Sequence, residues 1–178
     1  MEYNYLGNTD IKISKLGFGV AKLPLLENHD ADITEISAMV KYAVERGINY
    51  FDIGDTYVNG QCYKAMRIAL EPYKGIVHIG YKMRPSKVKN RKEFRKVLLE
   101  DLESLGLDYF EFFLFWGINK KEFMENVVNH DLLEEVKLLK EERIIENVGF
   151  SFHDAAEKMK DIIDYYDQWK IIICQFNL

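Results

Sequence analysis

Five times along this chain a short apolar segment gives way to an amphipathic one, and no other feature restricts the fold as tightly. The apolar segments begin near Leu16, Asn49, Ile76, Tyr109, Glu146 and Ile171. Their starts lie about 25 to 37 residues apart, the length of one strand plus a crossover helix. Segments such as Phe110-Glu111-Phe112-Phe113-Leu114-Phe115 are apolar on both faces, the pattern of parallel strands covered by helices. Between them run stripes at helical spacing: Ile36, Met39, Val40, Ala43 and Val44; Phe94, Val97, Leu98, Leu102 and Leu105; Leu132, Leu133, Val136 and Leu139; Met159, Ile162, Ile163 and Tyr166. Ala65, Met66, Ala69 and Leu70 form a shorter one. Capping pairs predict four of the helix starts: Asp32 with Glu35, Asn90 with Glu93, Asp131 with Glu134, and Asp154 with Glu157.

Regular alternation leaves a doubly wound open sheet or a (β/α) barrel. Gly17-Phe18-Gly19 suggests a dinucleotide fingerprint, but Lys22 stands where the third glycine belongs and no helix follows at once. The barrel is therefore expected, in incomplete form: about six strands in one domain over residues 1–178, against the eight of a full barrel. Alternating residues on either side of Gly7-Asn8-Thr9-Asp10 predict a small hairpin before it. The chain stops at Leu178, at the end of the sixth strand, and its first and sixth strands are expected to be open edges able to self-associate.

Composition narrows the partners. An apolar share of 48% with 30% charged residues suits a globular core, and a formal charge of −5 gives no reason to expect nucleic acid or anionic membrane. The basic run between Lys82 and Lys96 reads as a solvated face. No apolar run approaches the roughly 18–20 residues of a membrane span, and the N-terminus lacks the pattern of a signal peptide. Cys62 and Cys174 stand far apart and the four histidines are scattered, so no metal site is expected and free thiols in a reducing cytoplasm are.

Function in a parallel barrel gathers at the C-terminal ends of the strands. Asp52, Lys82, Trp116, Ser151 and Gln175 fall at or near such ends, and Tyr57 lies in the loop after Asp52. A tyrosine with a pKa near 10 is a poor acid at neutral pH, whereas a neighbouring ammonium favours its phenolate and a carboxylate holds that ammonium charged. Asp, Tyr and Lys together would suit protonation of a carbonyl oxygen. An Asp52–Lys82 structural ion pair with Tyr57 as a loop residue accounts for the spacing equally well. Tyr50, Tyr63 and Tyr81 are near enough in sequence that nothing local singles out Tyr57.

The order of these segments resembles the aldo-keto reductase family over nearly the whole chain. Tyr5-Leu6-Gly7-Asn8-Thr9 and Ser14-Lys15-Leu16-Gly17-Phe18-Gly19 are similar to its opening hairpin and first strand. Gly47-Ile48-Asn49-Tyr50-Phe51-Asp52 resembles its most recognisable segment, and Ile79-Gly80-Tyr81-Lys82 and Val148-Gly149-Phe150-Ser151-Phe152-His153 resemble its third and fifth strands. The resemblance implies a carbonyl reductase using NADPH (or NADH), with Tyr57 as proton donor, Lys82 lowering its pKa, Asp52 positioning Lys82, and Ser151 and Gln175 on the nicotinamide. Gly117-Ile118-Asn119-Lys120 and Gly149-Phe150-Ser151-Phe152-His153-Asp154 look most like the branch with a C-terminal iron–sulfur domain, though no cysteine cluster is present. Two departures stand out. Trp116 replaces the catalytic histidine and Tyr63 a glutamate. The seventh and eighth strands, which carry most cofactor–phosphate contacts in the family, are absent, so the cofactor site is expected to be incomplete. The alternative reading is a truncated, silent relative serving as a binding or assembly module, or a degenerate gene product.

Overall fold

The computed structural model describes residues 1–7 and 9–175, with Asn59 described by its backbone alone. The expected turn residue Asn8, the strand end at Phe176 and the terminal Leu178 lie outside the described residues. Strands β1 (Tyr3–Tyr5) and β2 (Lys12–Ser14) form the expected antiparallel hairpin. Six parallel strands follow in strict chain order: β3 (Phe18–Gly19), β4 (Tyr50–Gly54), β5 (His78–Met83), β6 (Phe110–Ile118), β7 (Ile145–Phe152) and β8 (Trp169–Cys174). Each strand is added on the same side of the last, which curls the sheet into a half-barrel instead of winding it both ways.

The two-residue strand period sorts side chains onto two faces. Phe51, Ile53, Tyr81, Met83, Phe113, Phe115, Val148 and Phe150 point outward and are fully buried beneath the helices. Tyr50, Phe112, Leu114 and Ile171 form a second, inner cluster, floored by Leu6, Ile11 and Ile13 of the hairpin. Gly80 leaves room for this cluster, since a Cβ there would meet the Tyr50 hydroxyl at 2.2 Å. The hairpin is tied across the barrel floor. Tyr3 donates to the Gly47 carbonyl at 2.8 Å, and the Ser14 N–H donates to Asn49 Oδ1 at 2.7 Å.

Helices α1 (Ile33–Glu45), α2 (Cys62–Leu70), α3 (Arg91–Leu105), α5 (Leu132–Glu141) and α6 (Ala156–Tyr165) cover the outer face, and the short α4 (Lys120–Glu122) runs into a π-helical turn at Phe123–Val128. No helix follows β3 before Ile33, in keeping with the rejected dinucleotide fingerprint.

Three expectations need correction. The first strand shrinks to two residues, leaving Leu16 exposed. Ile163, placed in the buried stripe of the last helix, is exposed because α6 lies beside α4 and no further helix follows it among the described residues. Only two of the four capping pairs form even their first bond: Asp32 and Asn90 accept from the backbone of Glu35 and Glu93 at 3.0 and 2.9 Å, while Glu93 reaches back to the Lys89 N–H instead of that of Asn90. Asp131 leaves the π-helical turn in a left-handed conformation and accepts from Arg91 instead, while the cap position of α6 is taken by Ala155. Asn119, not singled out by the pattern, caps α4 through the Glu122 N–H at 2.8 Å. No helix among the described residues is long and apolar enough to cross a membrane.

Candidate active site

Asp52, Lys82, Trp116 and Ser151 share the inner face with Tyr50, Phe112 and Leu114, because each is an even number of residues from an inner residue or register partner on its strand. At the C-terminal mouth Lys82 donates to Asp52 Oδ1 in a buried ion pair. Burial would lower the lysine pKa, but the Asp52 carboxylate, with a smaller pull from the Tyr57 phenol, carries it above its ordinary value. Burial works the other way on Asp52 and raises its pKa, opposed by Lys82.

Tyr57 opens the turn after β4, Tyr57–Gly60, and its ring folds back over Gly54, where a Cβ would stand 2.8 Å from the ring carbons. There Lys82 Nζ lies 5.3 Å from the ring centre. The competing tyrosines are elsewhere. Tyr50 is buried on the barrel floor, and Tyr63 and Tyr81 lie behind the sheet, both donating to Asp101. Of these tyrosines, Tyr57 is the one whose ring lies beside Lys82.

Trp116 meets Tyr57 edge-on, ring centres 5.2 Å apart at 75°. A β-bulge aims it there: the β6–β7 register slips between Phe115 and Ile118, and Gly117 takes a left-handed φ of 67°. The Gly117 N–H released by the bulge donates to the Ser151 hydroxyl oxygen at 2.7 Å. Gln175 lies one residue past β8 and is exposed, and among the described residues no hydrogen bond joins it to the cluster. Among the described residues no group of three or more His, Cys, Asp or Glu could hold a metal.

Reading Lys82 to Lys96 as a solvated face concealed one member of the site. Arg84 stacks its guanidinium 4.7 Å from the centre of the Trp116 ring. Its signal was its place, two residues beyond Lys82 on the same strand end. Elsewhere in the run Lys87 pairs with Asp55 at 2.6 Å and Arg91 and Arg95 both hold the buried Glu135, while Lys89, Lys92 and Lys96 are exposed as expected.

Residues 15–178 match the profile of the Aldo/keto reductase family. The chain belongs to that family. Its fold is that of solved members. It superposes on the holo form of aldo-keto reductase AKR11C1 from Bacillus halodurans with a TM-score of 0.79 and 22% identity, covering 99% of this chain and 58% of that one. The thermostable aldo-keto reductase Tm1743, solved with the inhibitor epalrestat, gives 0.79 and 20%, with 99% and 63% coverage. An aldo-keto reductase from Klebsiella pneumoniae in complex with NADPH gives 0.70 and 17%, with 88% and 51% coverage. This aldo/keto reductase chain thus spans little more than half the length of the solved relatives it matches, and the shared part is the half-barrel described above.

Proposed function

We propose that this chain carries the proton-donating half of a nicotinamide-dependent carbonyl reductase acting on small carbonyl compounds. The observation that supports it most directly is the buried Asp52–Lys82 pair set beneath the ring of Tyr57. A bound nicotinamide cofactor, NADPH or NADH, would supply the hydride to the carbonyl carbon. Tyr57 donates its phenolic proton to the carbonyl oxygen, and the Lys82 ammonium stabilises the phenolate left behind. Asp52 keeps Lys82 charged and aimed. Trp116 cannot titrate; its ring walls the site and its indole N–H orients the substrate.

The residues present fit the cofactor's carboxamide end. The Ser151 oxygen accepts from Gly117, so its hydroxyl hydrogen remains free to donate to an amide carbonyl. Gln175, two residues beyond the inner-facing Ile173, extends the same face. Among the described residues six parallel strands flank the site, which supports reading the cofactor site as incomplete within them. The segments at Gly117 and Gly149 favour the branch with a C-terminal iron–sulfur domain. The free thiols of Cys62 and Cys174 suit a cytoplasmic setting, and the net charge of −5 favours neither nucleic acid nor anionic membrane as partner.

A second reading, a silent binding or assembly module, has Trp116 in the histidine's place and the one-sided pairing of β3 and β8 in its favour. Titration of the purified chain with NADPH, followed by cofactor oxidation with an aldehyde, distinguishes the two. The reductase reading expects binding, turnover, and a loss of roughly 10²–10⁴-fold in kcat for Tyr57→Phe with an unchanged melting temperature. Absence of cofactor binding supports the silent module, and full activity in Tyr57→Phe removes that residue from the acid's role.

A further inference from the structure

Five charged side chains stand at or just beyond the ends of β4 and β5, and four of them pair off. Asp52 takes Lys82 and Asp55 takes Lys87. Arg84 has no carboxylate partner among the described residues, although the chain as a whole carries a net charge of −5. Its one recorded partner is the Trp116 ring, which in turn abuts Tyr57.

The backbone holds this arginine in place. Pro85 restricts the preceding residue to extended backbone, and Arg84 adopts φ −75° and ψ 118°. Pro85 and Val88 are buried, and the Arg84 carbonyl accepts from the Lys87 N–H at 3.2 Å, so the side chain rises from a fixed turn. The contact with the Trp116 ring uses none of the guanidinium N–H groups as a hydrogen-bond donor, and among the described residues they make no hydrogen bond. Those N–H groups are the ones that form paired hydrogen bonds to a carboxylate, and they are free to do so here.

We propose that Arg84 is the specificity-determining residue of this site, selecting carbonyl compounds that carry a carboxylate about one ring's width from the carbonyl. This rests on the reductase reading, since it takes the carbonyl to lie at Tyr57. Trp116 touches both Tyr57 and Arg84, at 5.2 and 4.7 Å from its ring centre, and those two contacts bound the spacing between the two substrate groups. The uncompensated positive charge at the mouth would also draw such an anion in.

The test compares para-carboxybenzaldehyde with its neutral methyl ester, using NADPH and the full chain. The wild type is expected to favour the acid by about tenfold in kcat/KM through a lower KM, with the preference shrinking as salt is added. Arg84→Met should bring the acid-to-ester ratio close to one, and Arg84→Lys, which keeps the charge but not the fork, should retain part of it. Equal use of acid and ester by the wild type would overturn the proposal while leaving the reductase reading intact. So would an Arg84→Met variant that weakens NADPH binding and leaves the ratio unchanged, which would assign the arginine to a cofactor phosphate. If neither aldehyde is turned over, calorimetric titration with para-carboxybenzaldehyde decides. Binding lost in Arg84→Met supports the anion site without the reaction, and binding indifferent to Arg84 refutes it.

Discussion

Trp116 shows how far one side chain can redirect a site. An imidazole at this position could exchange a proton with the substrate, whereas an indole can only donate a hydrogen bond and present a flat wall. Trp116→His is expected to raise aldehyde reduction, measured as NADPH oxidation in protein shown to be folded. An unchanged rate would mean that the indole simply fills the mouth and carries Arg84. On the barrel floor, Tyr50 presents the opposite case. Its hydroxyl is buried with no hydrogen-bond partner among the described residues. Burial first, then the charges of Asp52 and Glu111, raise its pKa above the ordinary 10.0. The folded state therefore holds this proton more tightly than the unfolded chain does, so stability is undiminished below pH 10.0 and is lost as the pH climbs above it. Tyr50→Phe removes both an unpaired polar atom and this titration. It is expected to gain roughly 1–2 kcal/mol in chemical denaturation at neutral pH. Its advantage over the wild type should widen in alkali, and a destabilised variant would show that the hydroxyl is bonded after all.

At the level of elements, the helix starts separate what a local pattern can specify from what neighbours impose. Asn90 and Asn119 satisfy free backbone N–H groups directly. Replacing either with alanine is expected to cost about 1 kcal/mol in denaturant unfolding. Asp131 makes no cap bond; it sits in a left-handed turn and binds Arg91, so it belongs to the α3–α5 ion-pair network centred on Glu135. Asp131→Asn should therefore be nearly neutral at high salt, where its exposed pair with Arg91 is screened. A loss as large as that of Asn90→Ala would return Asp131 to a capping role. The β6 bulge is a second such case. Trp116-Gly117 reads as the end of a strand, but only the register with β7 shows that the step from Phe115 to Ile118 frees a backbone N–H for Ser151.

For the molecule as a whole, the two edges of the sheet matter most. Among the described residues β3 and β8 each pair on one side only, and an apolar cleft of about 540 Å³ lined by Leu16, Phe18, Met39, Tyr42 and Ile48 runs beside β3. An open parallel sheet with an apolar flank invites another chain to complete it. Light scattering over a range of concentrations is expected to show mass growing with concentration. A monomer at all concentrations, with β8 amides protected from hydrogen exchange, would show that the edge is covered from within.

What the sequence by itself determined is whatever depends on periodicity along the chain. The strand–helix alternation dictates six parallel strands under helices, and the strand period puts Asp52 and Lys82 on one face, because a residue's face depends only on its own strand. The tertiary structure decided what meets across strands. It placed Tyr57 at the mouth and Tyr50 at the floor, turned Asp131 from a cap into an ion-pair partner, and laid Arg84 on Trp116. Those contacts depend on the curl of the sheet, the slip in register at the bulge and the fold of loops between strands. Apart from Tyr57 with Gly54, each brings together residues far apart in the chain, from Tyr57 with Lys82 to Asp131 with Arg91. No local pattern encodes such a meeting, because it exists only once the strands have been laid side by side.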